Sequence, residues 1–362
     1  IKANHPDINV DKIYLDAFQQ VTTAGGPRYP DVNEQINDRI ERGALVMNYV
    51  GHGGEVGVAE ERVITVPQIK DWKNIDRLSL IVSATCEFTK YDDPDRVSAG
   101  EWASLNPYGG AIALMTTTRS VFFGVNSATI DEFVARVFDR DANNEPFTFG
   151  EIMRLTKNNS GTSNNRRSFT LIGDPALQIA MPKMRVVTDS INGLDPALVL
   201  DTLSALSKVT IKGHLEDFNG TTLNSFNGVV YPTVFDKIKM QQTLGNDASS
   251  PIIDFELQNN KVYSGKASVT NGNFEFSFVV PKDINYSYGL GKLSYYAENG
   301  SIDALGADTR VYVGGIDPNG ISDNVGPDID LYLNDENFVS GGISDETPIL
   351  IAKVFDENGV NT

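Results

Sequence analysis

Residues 44–54 read ALVMNYVGHGG, an apolar run broken by Asn48 and followed by a glycine-rich turn. The run is short enough for a buried strand, since an isolated apolar stretch of this length rarely forms a helix. Two later stretches, residues 78–85 and 110–117, have the same character. We therefore predict three buried strands in this part of the chain.

Helix signals separate and follow these predicted strands. They are Asp31 with Glu34 and a stop at Gly43, the capping pairs Ser98 with Glu101 and Thr148 with Glu151, and the helical spacing of Ile130, Phe133, Val134, Val137 and Phe138. Capping residues begin helices because their side chains bind the unpaired N–H groups of the first turn. Apolar strands that alternate with helices predict an α/β domain over residues 1–183, with a doubly wound, mainly parallel sheet.

The pattern changes after Pro182 to strict alternation of apolar and polar residues. Val209, Ile211 and Leu215 alternate with polar neighbours, and so do Phe274, Phe276 and Phe278. Such alternation indicates half-buried strands. Turn residues separate these strands, which favours an immunoglobulin-like antiparallel β-sandwich over residues 184–316. Residues 329–333 and 349–354 predict the first strands of a further, incomplete β-module over residues 317–362.

Composition excludes several classes of protein. The formal net charge is −18, which argues against nucleic-acid binding because phosphates are neutralised by clustered Lys and Arg. The chain has one cysteine, so it can form neither an internal disulfide nor a cysteine-rich zinc site. It begins at Ile1 without a signal peptide, so its localisation is not readable from its start.

A histidine and the cysteine follow two of the predicted strands. His52 lies directly after residues 44–50, and Cys86 directly after residues 78–85. Parallel strands place their carboxyl ends at one sheet edge, where α/β proteins bind ligands. The glycines beside His52 leave backbone N–H groups free to approach a substrate oxygen. An imidazole beside a thiol is the arrangement for nucleophilic catalysis.

Structural interpretations compete with this one. Cys86 could be an inert buried thiol, and His52 could line a turn. His214 falls on the outward face of a predicted strand, so we expect it to be solvent-exposed. Gly173 and Asp174 are typical of a tight structural turn.

Other residues near the predicted sheet edge are candidates for a substrate pocket. Thr116, Thr117, Thr118 and Arg119 end the third predicted strand, and Glu55 and Glu87 lie close in sequence to the histidine and the cysteine. Glu87 could meet a positively charged substrate group. A structural or solvated role is the alternative for each.

The acidic residues Asp92, Asp93 and Asp95 admit two interpretations. Carboxylates are suitable ligands for calcium, although their spacing is not that of an EF-hand loop. The alternative is a turn that leads into the capping pair at Ser98.

Several segments together resemble the gingipain-type cysteine peptidases. They read NYVGHGG, ATCEF, YDDPDRVSAGEW, GGAIALMTTTRSV and FTLIGDPALQIAMP. The similarity covers roughly residues 30 to 190, and it is greatest to the sortase of the type IX secretion system. The resemblance implies a caspase-like fold, His52 as general base and acid, Cys86 as nucleophile, and an oxyanion hole formed by the N–H groups of Gly53 and Cys86. It implies no required cofactor, and it implies that the peptidase domain in residues 1–183 is N-terminally truncated.

The resemblance also implies partners and a location. Such sortases remove a C-terminal signal domain from exported proteins through a cysteine thioester, and an amine of anionic lipopolysaccharide can receive the cargo. The expected partners are therefore exported proteins, anionic lipopolysaccharide and other type IX secretion components, at the cell surface or outer membrane of a Gram-negative bacterium. A secreted endopeptidase that only hydrolyses, and a non-catalytic envelope scaffold, are the alternatives. Composition alone is also compatible with a cytosolic enzyme.

Overall fold

The computed structural model describes residues 4–321 and 325–356, and the chain separates into two compact units. The first contains Val10–Met181 together with Gln241–Phe255. The second contains Pro182–Met240 and the residues from Glu256 onward, together with N-terminal residues up to Asn9. The β-region expected over residues 184–316 thus falls in the second unit except for Gln241–Phe255, and the described residues of the region expected over 317–362 fall there as well.

The first unit is a mixed α/β structure. Its strands are β1 (Val21–Thr23), β2 (Gly26–Arg28), β3 (Val46–Val50), β4 (Gly53–Gly54), β5 (Gly57–Val58), β6 (Ile64–Thr65), β7 (Ser79–Ala84), β8 (Ala111–Thr117) and β9 (Phe169–Ile172). Its helices are α1 (Pro30–Arg42), α2 (Val66–Asp71), α3 (Ala99–Leu105), α4 (Phe123–Val134) and α5 (Phe149–Asn159).

The central sheet of this unit has the strand order β3-β7-β8-β9 among the described residues. Strands β3, β7 and β8 are parallel, and β9 is antiparallel to β8. The three predicted strands and the mainly parallel pairing are therefore confirmed. The predicted burial is confirmed for β7 and most of β8 but is wrong for β3, which lies at the edge of the described sheet and has no fully buried residue. A doubly wound sheet reverses its strand order, whereas here the order follows the chain, so the described sheet does not meet that prediction.

The helices begin and end largely where the sequence indicates. Helix α1 ends at Gly43, whose φ of +90° suits glycine, and helix α3 begins with the predicted reciprocal capping of Ser98 and Glu101. Thr148 caps α5 by accepting from the N–H of Glu151. Helix α4 ends at Val134, so Phe138 lies beyond it, although it is buried as its apolar spacing predicts.

The second unit and its connection to the first are built from strands. They are β10 (Met184–Ile191), β11 (Thr202–Ala205), β12 (Lys208–Glu216), β13 (Gly228–Phe235), β14 (Lys239–Gln242), β15 (Asp254–Leu257), β16 (Lys261–Ser264), β17 (Ala267–Thr270), β18 (Asn273–Val279), β19 (Gly289–Leu290), β20 (Lys292–Glu298), β21 (Asp303–Asp308), β22 (Tyr312–Ile316), β23 (Asp328–Leu333) and β24 (Leu350–Phe355). The predicted strands near residues 329–333 and 349–354 are thus present as the antiparallel pair β23–β24.

The main sheet of the second unit closes on itself. Its order is β16-β13-β17-β18-β12-β10-β21-β20, and β13 also pairs with β20. The predicted alternation is confirmed, because Val209, Ile211, Phe276 and Phe278 all point into the core. The described strands also form a separate three-stranded sheet, β11-β22-β19, whose residues Leu203, Ala205 and Val313 lie in the same core. The immunoglobulin-like arrangement therefore stays a prediction. Closure leaves fewer unpaired edges than two open sheets would.

None of the helices in the described ranges has the length and apolar character needed to cross a bilayer. The longest, α1, carries charged residues along its exposed face.

A carboxylate fixes the segment Gln241–Phe255 within the first unit. Asp16 accepts hydrogen bonds from the backbone N–H groups of Gly245 at 2.9 Å and Asn246 at 2.8 Å, and from the Asn246 amide at 2.9 Å. Burial raises the pKa of Asp16, but these donors outweigh it, so the pKa lies below its usual value. The ionised carboxylate therefore stabilises the folded state.

Replacing Asp16 with Asn should destabilise the first unit by about 1–2 kcal/mol at neutral pH, because hydrogen bonds to a charged acceptor are lost. The lowered pKa makes this contribution complete above about pH 4 and absent once the pH falls through the folded pKa. Urea unfolding at several pH values measures the difference. Asp247→Asn is the control, since the Asp247 carboxylate accepts one long, weak hydrogen bond, from Gln20 at 3.5 Å. A difference between D16N and the unmodified chain that persists at acid pH would contradict this account.

Candidate active site

The register of β3 against β7 places His52 and Cys86 at one sheet edge. Val50, the last residue of β3, pairs with Ala84, the last residue of β7. His52 and Cys86 each follow two residues later, and the N–H of Gly51 still donates to the Ala84 carbonyl at 3.4 Å. Neighbouring strands lie about 4.8 Å apart, so the two side chains start from adjacent positions.

His52 begins a short hairpin made by β4 and β5. The N–H of Ala59 donates to the His52 carbonyl at 2.8 Å, and Gly53 pairs with Val58. In an antiparallel ladder this alternation makes Gly53–Val58 a pair without mutual hydrogen bonds. The N–H of Gly53 is therefore turned away from β5, as an oxyanion donor requires.

A half-buried tyrosine supports the start of this hairpin. The Tyr49 hydroxyl donates to the His52 carbonyl at 2.7 Å. Burial raises the pKa of Tyr49 to about 12, so the hydroxyl keeps its proton at neutral pH. The His52 side chain itself is exposed to solvent.

Cys86 lies in a sharp turn after β7. The next residue, Glu87, has a φ of +51°, a conformation that costs energy for a residue with a side chain. The N–H of Glu87 donates to the Arg119 carbonyl at 3.4 Å. The half-buried Cys86 thiol lies 3.7 Å from the Val121 carbonyl, toward which it donates. The segment after β8 therefore accepts hydrogen bonds from both Cys86 and Glu87.

The hairpin of His52 packs directly on the strand end that carries Cys86. A Cβ placed on Gly53 would lie 2.5 Å from the Thr85 Oγ1 atom and 3.0 Å from the Gly57 carbonyl. Thr85 is buried, and its hydroxyl has no hydrogen-bond partner among the described residues. Thr85 was not among the residues predicted for the site, although it directly precedes Cys86 in the sequence.

The first half of the chain is similar to a known protein family. Residues 1–180 match the profile of peptidase family C25. The gingipain-type resemblance of the motifs is thereby confirmed for this C25 segment, which carries both His52 and Cys86. A comparison with curated proteins gave no match.

Solved structures include similar proteins. Dimeric latent PorU from Porphyromonas gingivalis is 37% identical over 62% of this chain and 22% of its own, with a TM-score of 0.41. The Arg-specific cysteine proteinase gingipain R, RgpB, is 17% identical over 78% of this chain and 56% of its own, with a TM-score of 0.39. The chain therefore spans about a fifth of the PorU chain and somewhat over half of the RgpB chain.

Two of the threonines proposed for a substrate pocket are buried in the protein interior. Thr116 and Thr117 have no exposed surface. The Thr116 hydroxyl bonds to those of Ser83 at 2.9 Å and Thr89 at 3.0 Å, and the Thr117 hydroxyl donates to the Thr85 carbonyl. These contacts give both residues a structural role at the strand ends, and this corrects the pocket assignment.

Thr118 and Glu87 differ from the two buried threonines. Both are half-buried. The Thr118 hydroxyl donates to the Ser168 carbonyl at 3.3 Å, which leaves it at the surface of the segment after β8. Glu87 stays beside Cys86, so its assignment to a substrate pocket remains a prediction.

Ion pairs occupy the acidic turn after Cys86. Asp92 forms a bidentate pair with Arg119, with distances of 3.0 and 2.5 Å, and Asp93 accepts from Lys90 at 3.3 Å and from the N–H of Asp95 at 3.0 Å. The Arg119 hydrogen bond lowers the pKa of Asp92, and the Asp95 N–H, followed by Lys90, lowers that of Asp93. No group of three or more metal-ligating side chains occurs within the described ranges. These contacts support the turn interpretation.

Two further residues singled out in the sequence have structural contacts. His214 was expected to be solvent-exposed, but its side chain is only 19% exposed and bonds to Asp189 at 2.8 Å. This expectation failed because a neighbouring strand supplies a carboxylate. Gly173 has a φ of +127°, and a Cβ placed on it would lie 2.8 Å from the Ala113 Cβ atom. Asp174 accepts a hydrogen bond from the N–H of Ala176 at 2.8 Å. Both features are those of a structural turn.

Replacing Gly53 with Ala should displace the His52 hairpin, because the new methyl group would overlap Thr85 and the Gly57 carbonyl. We expect the rate of Cys86 alkylation to fall at least tenfold, because a misplacement of about 1 Å can lower a reaction rate about 10²-fold. We also expect a loss of about 1–3 kcal/mol in unfolding free energy, as for overpacked sites.

Gly54→Ala is the matched control, since a Cβ there meets nothing within 4 Å. Rates are measured with iodoacetamide and stabilities by urea unfolding. Equal behaviour of the two variants would show that the Gly53–Thr85 contact does not position the hairpin.

A calcium titration decides the remaining metal prediction at Asp92, Asp93 and Asp95. Because Arg119 and Lys90 already neutralise two of these carboxylates, we expect about 1 mM calcium, within the range of weak sites, to leave the melting temperature unchanged. A rise of several degrees that Asp95→Asn abolishes would establish a calcium site.

Proposed function

We propose that the chain is the catalytic part of a cysteine peptidase, with Cys86 as nucleophile and His52 as general base. The observation that carries the proposal is the pairing of Val50 with Ala84, which sets the two side chains at equivalent positions beyond adjacent parallel strands. The match of residues 1–180 to the profile of peptidase family C25 supports it. A nucleophile and its base act within hydrogen-bond reach of each other, and their places beyond neighbouring strand ends favour that approach.

The proposed reaction begins at a peptide carbonyl placed over the turn after β7. The Cys86 sulfur attacks the carbonyl carbon while His52 holds the thiol proton. The N–H groups of Gly53 and Cys86 bind the oxyanion. The Gly53 N–H supports this role because it points away from β5 and is not used in the hairpin. The carbon–nitrogen bond then breaks, His52 gives its proton to the leaving amine, and a thioester remains on Cys86.

The fate of the thioester separates two enzymes. We propose a sortase: an amine attacks the thioester, a new amide forms, and the Cys86 thiol is released. The motifs around Cys86, which resemble type IX secretion sortases, support this choice. The partial burial of Cys86 also supports it, because the acyl group must be kept from water until an amine arrives.

The proposed substrates are exported proteins with a C-terminal signal domain. The acceptor would be an amine of anionic lipopolysaccharide, and the site of action the cell surface or outer membrane, together with other type IX secretion components. Glu87, half-buried beside Cys86, would meet a positively charged group of the substrate. The exposure of His52 favours a second candidate, an endopeptidase in which water resolves the thioester.

A thiol probe tests for the dyad. We expect iodoacetamide to modify Cys86 at least tenfold more slowly in His52→Ala, since proton transfer by a positioned base typically contributes about 10²–10⁴-fold. His214→Gln is the histidine control and should react like the unmodified chain. Equal, slow modification of all forms would favour a non-catalytic scaffold.

Incubation with a cargo peptide and an amine acceptor tests transfer. We expect an amide adduct between the new carboxyl terminus and the acceptor, detected by mass spectrometry and absent in Cys86→Ser. Hydrolysed product alone, at every acceptor concentration, would contradict the sortase and favour the endopeptidase.

A further inference from the structure

An ion pair joins the loop that carries His52 to the loop that carries Cys86. The Lys90 ammonium lies 2.8 Å from one oxygen of Glu55, and Arg96 lies 3.7 Å from the other. Glu55 follows His52 by three residues, and Lys90 follows Cys86 by four. We propose that Glu55 and Lys90 form a positioning pair that holds the His52 hairpin over Cys86. The proposal rests on the function proposed above.

Glu55 occupies the tip of the hairpin. Gly54 pairs with Gly57, so Glu55 and Val56 are the two residues of the turn. The Glu55 carbonyl also accepts a hydrogen bond from the N–H of Ala99 at 2.7 Å. The hairpin is therefore attached at both ends: Gly53 packs against Thr85 at its base, and Glu55 binds Lys90 and the backbone of Ala99 at its tip.

This ion pair is more shielded from solvent than an ordinary surface pair. The side chains of Glu55 and Lys90 are 14% and 29% exposed, whereas Arg42 and Asp38 on α1 are 71% and 43% exposed. Exposed pairs contribute little, because solvent screens them and ordering the side chains costs entropy. A pair shielded from water is screened less.

The pair also lies within a set of alternating charges. Lys90 contacts Asp93 at 3.3 Å as well as Glu55, and Glu55 is approached by Arg96. Removing the Glu55 charge leaves Lys90 held only by Asp93, away from the hairpin. The hairpin tip then keeps its Ala99 hydrogen bond but loses its charged attachment to the segment after Cys86. The expected consequence is a misplaced imidazole in a folded protein.

The test is a double-mutant cycle of Glu55→Gln and Lys90→Gln, with Asp38→Asn as the control for an ion pair elsewhere in the same unit. The readouts are the iodoacetamide rate at Cys86, kcat and KM for a cargo peptide, and the melting temperature. We expect each single variant to lose about tenfold or more in alkylation rate and in kcat. KM should change less than about twofold, because substrate contacts are kept.

The double variant should be no slower than the slower single variant, because each change removes the same interaction. D38N should match the unmodified chain. Full reactivity in Glu55→Gln, additive losses in the double variant, or losses that only parallel a fall in melting temperature would each overturn the positioning role. An unaffected His52→Ala rate would instead overturn the proposed function, whatever the Glu55 variants do.

Discussion

The register between two parallel strands is the constraint on which the rest of the site depends. Val50 pairs with Ala84, so the chain leaves β3 and β7 at the same level and delivers His52 and Cys86 to one edge. A slip of one residue would turn every side chain of a strand to the other face. The complete burial of β7 opposes such a slip, because its apolar residues pack on both faces.

Loops beyond the sheet convert this register into a defined site. The positive φ of Glu87 makes a sharp turn at Cys86, and the carbonyl groups of Arg119 and Val121, in the segment after β8, accept hydrogen bonds from that turn. Hydroxyl groups supply the remaining contacts: Thr117 binds the Thr85 carbonyl, and Thr116 binds Ser83 and Thr89. These hydroxyl groups can be buried because they are paired, whereas the buried hydroxyl groups of Ser79 and Thr85 have no hydrogen-bond partner among the described residues.

Sequence patterns predicted the positions of strands and helices better than the contacts of individual side chains. The short apolar runs and the caps at Ser98 and Thr148 depend on local chemistry, so they located strands β3, β7 and β8 and the starts of two helices. Placing His52 and Cys86 at a common edge needed only the rule that parallel strands end together. The roles of Thr116, Glu55 and His214 depend on partners far away in the chain, and no local pattern reveals those. For the same reason, alternating residues in β12 and β18 predicted their buried faces but not the closure of their sheet through β13 and β20.

The most direct measurement is a crystal structure of the chain treated with a peptidyl aldehyde, which mimics the tetrahedral intermediate. The account predicts a covalent bond between the Cys86 sulfur and the aldehyde carbon. It also predicts the resulting oxygen within about 3 Å of the Gly53 N–H, the distance of an oxyanion donor, and the His52 imidazole beside the sulfur. An unmodified Cys86, or a covalent adduct whose oxygen and sulfur lie far from Gly53 and His52, would contradict the assignment of this sheet edge as a peptidase active site.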